Sequence, residues 1–549
     1  MFAIRSFTVV LGLAGVIAAS CQTPAAPPVP VVHAAFPTAA STPLGTQIAA
    51  LLADPTVARD HWGIAVTELD GTPIYGHNEG ELYRPASNTK LFTTAAAMAL
   101  LTPESTVTTT VRFSKPGPDG LSTGNVIING AGDPGLSAQD FPYQTPAERR
   151  AMGQPVPNPN PPDALRALDA FASDIAKTGI KKINGDIVGS DTVWTWEPYP
   201  IAWDIGDMLS GDGAPVSAMT INDNLLDIAI TPAAKVDGPA TLSVLPGTGY
   251  YQYAVDVKTV AAGTHSSLQI DRAPGSRLVR IYGTIAVGAP YKDEIAIMDP
   301  AEFTALALKE KLEQHGVEVT GAARAEHRLP IDGESFGRES HEPSKLEIPV
   351  VNPVASPAPA QPSDVFLTKS SPTLAEDAKE TLKISQNLHA ELMLRRLGAA
   401  YGTFDRSQNT TAQGARVVRQ FLVNAGLDGD DFLFYDGSGM SSHNLVAPRA
   451  TVKLLAFAMS QPWFPIWKAA LPVGGLDGSL TSRFPDAPLK NHVFAKTGTL
   501  GESRALSGYL DCVSGKQVIF SIMVDDHMPG SLADRVTMDK IVAAIAAAE

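Results

Sequence analysis

One segment constrains the fold more than any other: an uncharged run that begins just after a serine and a lysine. In RPASNTKLFTTAAAMAL, residues 84–100, Ser87 stands three residues before Lys90, and no charged residue follows up to Leu100. Residues three apart lie on one face of a helix, so the hydroxyl and the amine are expected to be neighbours. Burial would lower the pKa of Lys90 toward neutrality and make it a base. The alternative is a capping serine and a solvated lysine, because this short pattern is frequent by chance.

Length and charge limit the class of protein. The chain has 549 residues, enough for roughly two to four domains, and 44% hydrophobic with 18% charged residues is typical of a globular protein. A formal net charge of −15 and the lack of a basic stripe argue against nucleic acid as a partner. The 11 histidines form no H-E-x-x-H pattern and no C-x-x-C accompanies them, so we expect no metal and no other cofactor.

The first residues are typical of an export signal. An apolar run from Phe7 to Ala19 follows Arg5 and leads to Cys21, and it is too short to span a bilayer. Cys21 after small residues resembles the bacterial lipoprotein box, which implies a lipid anchor in a bacterial membrane; ordinary cleavage near VVHAAF is the alternative. We expect residues 1–21 to be a signal peptide, residues 22–44 to be a Pro/Ala-rich tether, and the protein to be exported to the periplasm.

The apolar pattern predicts a mixed α/β fold of the α+β type that an insertion interrupts. Alternating runs around Asp70-Gly71 predict a hairpin, and three more strands are predicted over 492–500, 503–513 and 516–526. Residues 373–402 predict one long helix. The only cysteine besides Cys21 is Cys512, which we expect to be a buried small hydrophobe. The expected organisation is an antiparallel sheet flanked by helices over residues 45–100 and 363–549, a β-rich inserted region over 101–352, and a Pro-rich loop over 353–362.

Two further motifs follow Ser87 and Lys90. Ser385 to Asn387 gives S-x-N, and Lys496 to Gly498 gives K-T-G on a predicted strand. In the order S-x-x-K, S-x-N, K-T-G these motifs form the signature of penicillin-binding proteins and serine β-lactamases, with Gln386 where Asp is usual. With the flanking stretches GAGDPGL, YDGSGMSSHNLVAP and FAKTGTLGESRALSGYL, residues 45–549 resemble the D-alanyl-D-alanine carboxypeptidase/endopeptidases, which are low-molecular-mass class C penicillin-binding proteins of peptidase family S13.

The resemblance implies the fold of the penicillin-binding-protein and serine β-lactamase transpeptidase domain, and an acyl-enzyme mechanism. Ser87 would attack the carbonyl of the penultimate D-alanine of a peptidoglycan stem peptide and Lys90 would accept its proton, since a Ser–Lys pair is a known alternative to Ser–His. The backbone N–H groups of Ser87 and Thr499 would hold the oxyanion. β-Lactam antibiotics would acylate the same serine.

The other motif residues receive roles by the same resemblance. Ser385 would relay a proton to the leaving amine, and Asn387 would orient Lys90 and the substrate amide. The terminal carboxylate of the substrate would meet Lys496 with Thr497, Gly498 and Thr499. In the inserted region, Asp191 is expected to meet the cationic end of a diaminopimelate stem, and a surface-turn aspartate is the alternative.

Other interpretations remain open. Ser438, which stands between two glycines, is a candidate for a second nucleophile, but a tight turn is the simpler interpretation. A serine β-lactamase is a rival function, although no glutamate occurs from Leu392 to Ala495 to serve the deacylation of class A enzymes. A second rival is a non-catalytic penicillin-binding or wall-sensing module, and the complete set of motifs argues against it. We expect the inserted region to govern which muropeptides reach the cleft and to take no part in bond chemistry.

Overall fold

The computed structural model describes residues 33, 35–38, 42–158, 161–330, 336–343, 346, 364–402 and 410–549. The predicted signal peptide with Cys21, most of the predicted tether and the Pro-rich loop at 353–362 lie outside the described residues. Within the described ranges, no helix is long and apolar enough to cross a membrane.

The helices begin where the sequence provides caps. Asp299 accepts a hydrogen bond from the Glu302 amide at the start of one helix, and Thr373 with Glu376 forms a capping box at the start of another. The helices of the described residues are α1 Pro43–Leu52, α2 Thr89–Leu100, α3 Pro146–Ala151, α4 Arg166–Lys177, α5 Pro300–Gln314, α6 Phe336–His341, α7 Leu374–Lys383, α8 Asn387–Tyr401, α9 Thr410–Asn424, α10 Pro448–Met459, α11 Phe464–Ala470 and α12 Ala533–Ala548.

The strands form several sheets. They are β1 His61–Thr67, β2 Pro73–His77, β3 Thr108–Ser114, β4 Leu121–Thr123, β5 Val126–Asn129, β6 Lys182–Asn184, β7 Ile187–Thr195, β8 Leu225–Thr231, β9 Thr241–Leu245, β10 Gln252–Val260, β11 Ser267–Asp271, β12 Leu278–Ala286, β13 Tyr291–Ala296, β14 Glu318–Val319, β15 Ala323–Arg328, β16 Asp364–Ser370, β17 Phe432–Leu433, β18 Leu445–Val446, β19 Val493–Leu500, β20 Ser503–Asp511 and β21 Gln517–Asp525.

The two ends of the chain build one antiparallel sheet. Its order is β19-β20-β21-β1-β2, and β1 joins the C-terminal strands through the pairing of Ala65 with Ser521. The predicted hairpin turns at Gly71, whose φ of +88° favours glycine. Apolar side chains of α1 and α12 cover one face of the sheet, with Ile48 and Ile541 fully buried. The sheet split by an insertion is therefore confirmed, and Cys512 lies buried just after β20 as expected.

Helix α2 lies inside the core on the other face of the sheet. Its residues from Thr89 to Met98 are all buried, and it packs against α7, α8 and α9. The uncharged run therefore forms a core helix, and Lys90 in its first turn is fully buried. An amine at that position has lost its contact with bulk water, which is the condition that the sequence pattern predicted.

The inserted region has its own apolar core and its own sheets. Among its described residues, the largest sheet has the order β15-β7-β5-β3-β16, and smaller sheets have the orders β10-β12-β11, β13-β8-β9 and β14-β6-β4. The strand β16, residues 364–370, pairs antiparallel with β3 and packs Leu367 against the core of the inserted region. The boundary predicted at residue 363 is therefore too early, because β16 completes the edge of a sheet that belongs to the insertion.

Candidate active site

Ser87 lies in a short 3-10 turn, residues Ala86–Asn88, directly before α2. The side-chain amide of Asn88 donates to the Ser507 hydroxyl at 2.7 Å and so ties this turn to β20. Strand β19 runs beside the turn at Gly498, where an added Cβ would lie 2.6 Å from the Pro85 carbonyl oxygen and 3.1 Å from the Ser87 nitrogen. The K-T-G motif therefore needs glycine because its strand touches the Ser87 turn.

The Lys90 amine stands at the centre of the site. Its Nζ lies 3.0 Å from the Ser87 Oγ, 2.6 Å from the Asn387 Oδ1 and 2.7 Å from the backbone oxygen of Ser438. The first and second motifs, 297 residues apart in sequence, therefore meet at one nitrogen atom.

Burial changes the acidity of that amine. Removal from water disfavours the ammonium form and lowers the pKa of Lys90 from 10.5 to about 8, although the carboxylates of Asp436, Glu391 and Asp212 act in the opposite direction. A lysine with this pKa is partly neutral near pH 7, so it can take a proton from the hydroxyl that it touches.

The second motif breaks the long helix that the sequence predicted. Ser385 has a φ of +67° and lies between α7 and α8, so residues 373–402 form two helices instead of one. Gln386 caps α8 by accepting from the Leu388 amide, and Asn387 begins that helix. The left-handed backbone at Ser385 turns its side chain to the third motif.

The third motif brings a second buried lysine to the cleft. Lys496 Nζ donates to the Ser385 Oγ at 2.9 Å and to the Thr497 oxygen at 2.8 Å, and Thr497 Oγ1 donates to the Ser479 hydroxyl at 2.7 Å. Burial, and then the positive charge of Lys90, hold the pKa of Lys496 well below its usual range. Thr499 is exposed on the same strand.

A loop that sequence reasoning treated as a turn completes the Lys90 site. Ser438 is fully buried and its hydroxyl lies 3.4 Å from the carboxylate of Asp436, so it has no access to a substrate. Gly439, with a φ of +91°, lies against the Ser87 turn, since an added Cβ would be 1.8 Å from the Ala86 oxygen. The turn interpretation of Ser438 is confirmed, and the contribution of its backbone oxygen to the site was missed.

Two buried carboxylates near this loop were also missed. Glu391 stands four residues after Asn387, one helical turn along α8, and Asp436 opens the DGSG stretch. Both acids could have been suspected from the sequence, Glu391 from its helical spacing to Asn387 and Asp436 from its place in the DGSG stretch. Charged residues rarely enter a core without a partner.

Asp191 does not join the motif residues. It lies on β7 with 2% of its surface exposed, accepts from the Ser217 hydroxyl at 2.9 Å and lies 2.9 Å from His327 Nδ1. The second ring nitrogen of His327 lies 3.1 Å from Asp299, and these two carboxylates raise the pKa of the imidazole to about 10 against the effect of burial. Asp191 is thus no surface-turn residue, and its contact with a cationic stem peptide stays a prediction that would require a change in these contacts.

The inserted region supplies part of the site itself. The backbone oxygen of Asp212 accepts from the Asn387 side-chain amide at 3.0 Å, and the Trp203 indole N–H donates to Asp436 at 2.9 Å. A cavity of about 790 Å³ opens between the second motif and strands β8, β9 and β13. The insertion therefore lines the cavity beside the second motif and also supports the motif residues, and only the second of these was not predicted from the sequence.

Known proteins match almost the whole chain. The sequence model of the D-Ala-D-Ala carboxypeptidase 3 (S13) family matches residues 44–334 and 344–548. This chain belongs to that family. Membership makes it a serine-type D-Ala-D-Ala carboxypeptidase and confirms the family and the enzyme class that the three motifs predicted.

Individual relatives agree with the family assignment. The D-alanyl-D-alanine carboxypeptidase of Actinomadura sp. strain R39 is 30% identical over 510 residues, which are 90% of this chain and 83% of that protein. The carboxypeptidase DacB of Haemophilus influenzae is 23% identical, over 84% of each chain.

The crystal structure of penicillin binding protein 4 (dacB) from Haemophilus influenzae has a TM-score of 0.69 at 20% identity and covers 91% of this chain and 98% of that one. That likeness confirms the penicillin-binding-protein fold. A second structure of the same protein, complexed with a β-lactam, has a TM-score of 0.64 at 19% identity over 91% and 98% of the two chains.

Proposed function

We propose that this S13 carboxypeptidase removes the terminal D-alanine of peptidoglycan stem peptides through an acyl-enzyme on Ser87. The observation that supports this proposal most strongly is the contact of 3.0 Å between the Ser87 hydroxyl and the fully buried amine of Lys90. A serine needs an adjacent base to become a nucleophile, and burial lowers the pKa of this lysine to about 8.

Acylation begins with one proton transfer. As the Ser87 oxygen attacks the carbonyl of the penultimate D-alanine, its proton passes to the lone pair of Lys90, and the carbonyl oxygen becomes an oxyanion. The backbone N–H groups of Ser87 and Thr499 hold that charge, and the loss of one such donor typically costs a rate factor of ~10² to 10³. The proximity of Gly498 to Ser87 supports this pairing of the turn with β19.

Release of D-alanine requires a proton on the other side of the cleft. Ser385 Oγ receives a hydrogen bond from Lys496, so the pair can pass a proton to the nitrogen of the leaving D-alanine. A substrate carboxylate close to Lys496 would raise the pKa of its amine again and would be held by the resulting ammonium, with Thr497, Gly498 and Thr499 beside it. The proton that Lys90 took from Ser87 replaces the one given to the leaving nitrogen, so Lys90 is neutral again and activates the water that hydrolyses the ester.

β-Lactams are proposed to acylate Ser87, because their strained amide offers a carbonyl to the same nucleophile. A β-lactamase, which would have to hydrolyse that ester rapidly, is less well supported. Glu391 lies four residues after the second motif, but it accepts from the Gly437 and Ser438 amides instead of facing the Ser87 hydroxyl. A non-catalytic wall-sensing module would have no use for the contact of Lys90 with Ser87.

Two further aspects belong to the same proposal. The cavity beside Ser385 has room for more than a linear peptide end, which supports an additional DD-endopeptidase activity on cross-linked muropeptides. We also infer that the protein is exported to the periplasm and that lipidation of Cys21 anchors it to a membrane. A Cys21→Ala variant should then leave the membrane fraction, and an unchanged membrane fraction would exclude the anchor.

Release of D-alanine tests the proposal. Wild-type protein should liberate D-alanine from diacetyl-L-Lys-D-Ala-D-Ala, and preincubation with benzylpenicillin should stop the reaction. Ser87→Ala should release none, while Ser438→Ala should retain most of the activity because the site uses only the backbone oxygen of Ser438. A Ser87→Ala variant that still releases D-alanine would refute the assignment. Conversion of a cross-linked muropeptide dimer into monomers tests the endopeptidase activity separately.

A further inference from the structure

The direction of the Lys90 lone pair depends on two oxygen acceptors. A neutral amine has two N–H donors and one lone pair, whereas an ammonium has three donors. The Asn387 Oδ1 and the backbone oxygen of Ser438 can only accept, so they take the two N–H groups of the neutral amine. The third direction, with the lone pair, is then left for the Ser87 hydroxyl. The Ser438 oxygen is therefore one of the two acceptors that set the direction of the Lys90 lone pair.

A backbone oxygen holds its position only if its own peptide and the peptides before it are fixed, and Glu391 fixes the two peptides that precede the one carrying the Ser438 oxygen. The Glu391 Oε1 accepts from the Gly437 amide at 2.9 Å and from the Ser438 amide at 2.8 Å. Glu391 is fully buried on α8, one turn from Asn387, so the same helix carries one acceptor of Lys90 and the clamp of the other. Gly437 is packed onto this helix, since an added Cβ would lie 2.7 Å from the Ala390 oxygen.

Asp436 holds the peptide that carries the Ser438 oxygen, because the N–H of that peptide belongs to Gly439, and it also holds the next turn of the loop. Its carboxylate accepts from the Gly439 amide at 2.8 Å and from the Ser441 amide at 2.5 Å. The Trp203 indole reaches the same carboxylate from the inserted region. Buried carboxylates are costly unless their charge is satisfied by donors, so a loop that keeps two of them beside an amine has a reason beyond packing.

We propose that Glu391 is a positioning residue for the acylation step, which acts through the Ser438 carbonyl oxygen to aim the lone pair of Lys90 at Ser87. This inference rests on the proposed roles of Ser87 and Lys90. Glu391 touches neither the substrate nor the reacting oxygen, so it leaves capture of the substrate to the third motif. Without the clamp, the chain at Gly437 and Ser438 is held only from its Asp436 side, the Ser438 oxygen shifts from the amine, and the lone pair is no longer directed.

A leucine at residue 391 removes both acceptor oxygens at similar volume. In Glu391→Leu we expect the rate constant of acylation by a fluorescent penicillin to fall by ~10²-fold, the lower part of what a positioned base contributes. Reversible binding of the same penicillin, measured in the Ser87→Ala background, should change by less than about threefold, because the third motif is untouched. Glu391→Gln keeps one oxygen that can accept from both amides and should restore acylation to within about tenfold of wild type.

Glu380→Leu is the matched control, since Glu380 is another fully buried glutamate on the neighbouring helix α7. It should acylate at the wild-type rate if folded. Wild-type acylation by Glu391→Leu, or an equal loss in reversible binding, would overturn the proposal while leaving the role of Ser87 intact. Failure of Ser87 itself to acylate in wild-type protein would instead refute the proposed function.

If Glu391→Leu does not fold, the pH profile of Glu391→Gln decides. The carboxylates acting on Lys90 are Asp436, Glu391 and Asp212, and the neighbouring lysine is Lys496, whose own pKa is lowered by burial and by Lys90. Loss of one negative charge should move the acid limb of the pH profile of acylation to lower pH, while the plateau rate stays within about tenfold of wild type. A plateau rate of acylation as low as that of an inactive enzyme, or an acid limb at the same pH as in the wild type, would overturn the proposal.

Discussion

The ionisation of Lys90 gives the sharpest quantitative prediction. At pH 7 a lysine with its ordinary pKa of 10.5 is neutral in roughly one molecule in 3,000, whereas a pKa of about 8 leaves roughly one in ten neutral. Burial in the first turn of α2 therefore increases the active base ~300-fold at neutral pH. Because only the neutral amine accepts a proton, the acylation rate should rise with pH through about 8 and level off about one unit higher.

The assay must report the titration of Lys90 and not that of Lys496, whose pKa is also lowered by burial. A depsipeptide ester without a free carboxylate meets this requirement, because its binding does not need the positive charge of Lys496. Single-turnover acylation would be followed by stopped flow from about pH 6 to about pH 10. Lys90→Arg is the control, since a guanidinium stays protonated over this range and should show no acylation. A rate that is independent of pH, or a limb centred near 10.5 in the wild type, would refute the reasoning.

Three other substitutions follow from the contacts of the site. Lys496→Ala should raise KM at least ~10-fold for peptides with a free carboxylate and much less for ester analogues without one; equal changes in KM on both would contradict the assigned role. Gly498→Ala should slow acylation by ~10²-fold in a folded protein, because its Cβ would lie 2.6 Å from the Pro85 oxygen. Trp203→Phe removes a donor from Asp436 and should slow acylation by penicillin more than it lowers the melting temperature; a variant with wild-type acylation would show that this contact from the inserted region is dispensable.

Local patterns were enough to predict much of the fold. The hairpin at Gly71, the buried helix α2 and the strands β19 to β21 follow from apolar periodicity and turn residues that act over a few positions. The strand β16 was instead assigned to the sheet domain predicted to resume at residue 363, because it follows the Pro-rich loop and its partner β3 lies some 250 residues away. A pairing over that distance leaves no mark in local periodicity.

The break at Ser385 shows a different limit. Apolar residues continue at helical spacing through the second motif, and no glycine or proline interrupts them. The left-handed backbone at Ser385 depends instead on tertiary contacts, among them the hydrogen bond from Lys496. A serine at positive φ is costly, and it is tolerated where the surrounding structure determines it, as at functional sites.

The motif residues were predictable because three short patterns in a fixed order specify them, whereas their partners were not. The acceptors at Ser438 and Asp212 are backbone oxygens, which every residue carries, so no residue type marks them. The charge of Lys496 was assumed from its residue type, while burial and Lys90 disfavour it. The expectation that the insertion takes no part in the bond chemistry stays a prediction, although the backbone oxygen of Asp212 holds the side chain of Asn387 in place.

The central claim is that Ser87 becomes acylated, and the mass of the protein tests it directly. After incubation with benzylpenicillin, intact-mass analysis of the wild type should show one added penicilloyl group, and fragmentation should locate it on Ser87. The Ser87→Ala variant should show no adduct, and Ser438→Ala should show one. A folded wild-type protein without an adduct, or an adduct that persists in Ser87→Ala, would contradict the account.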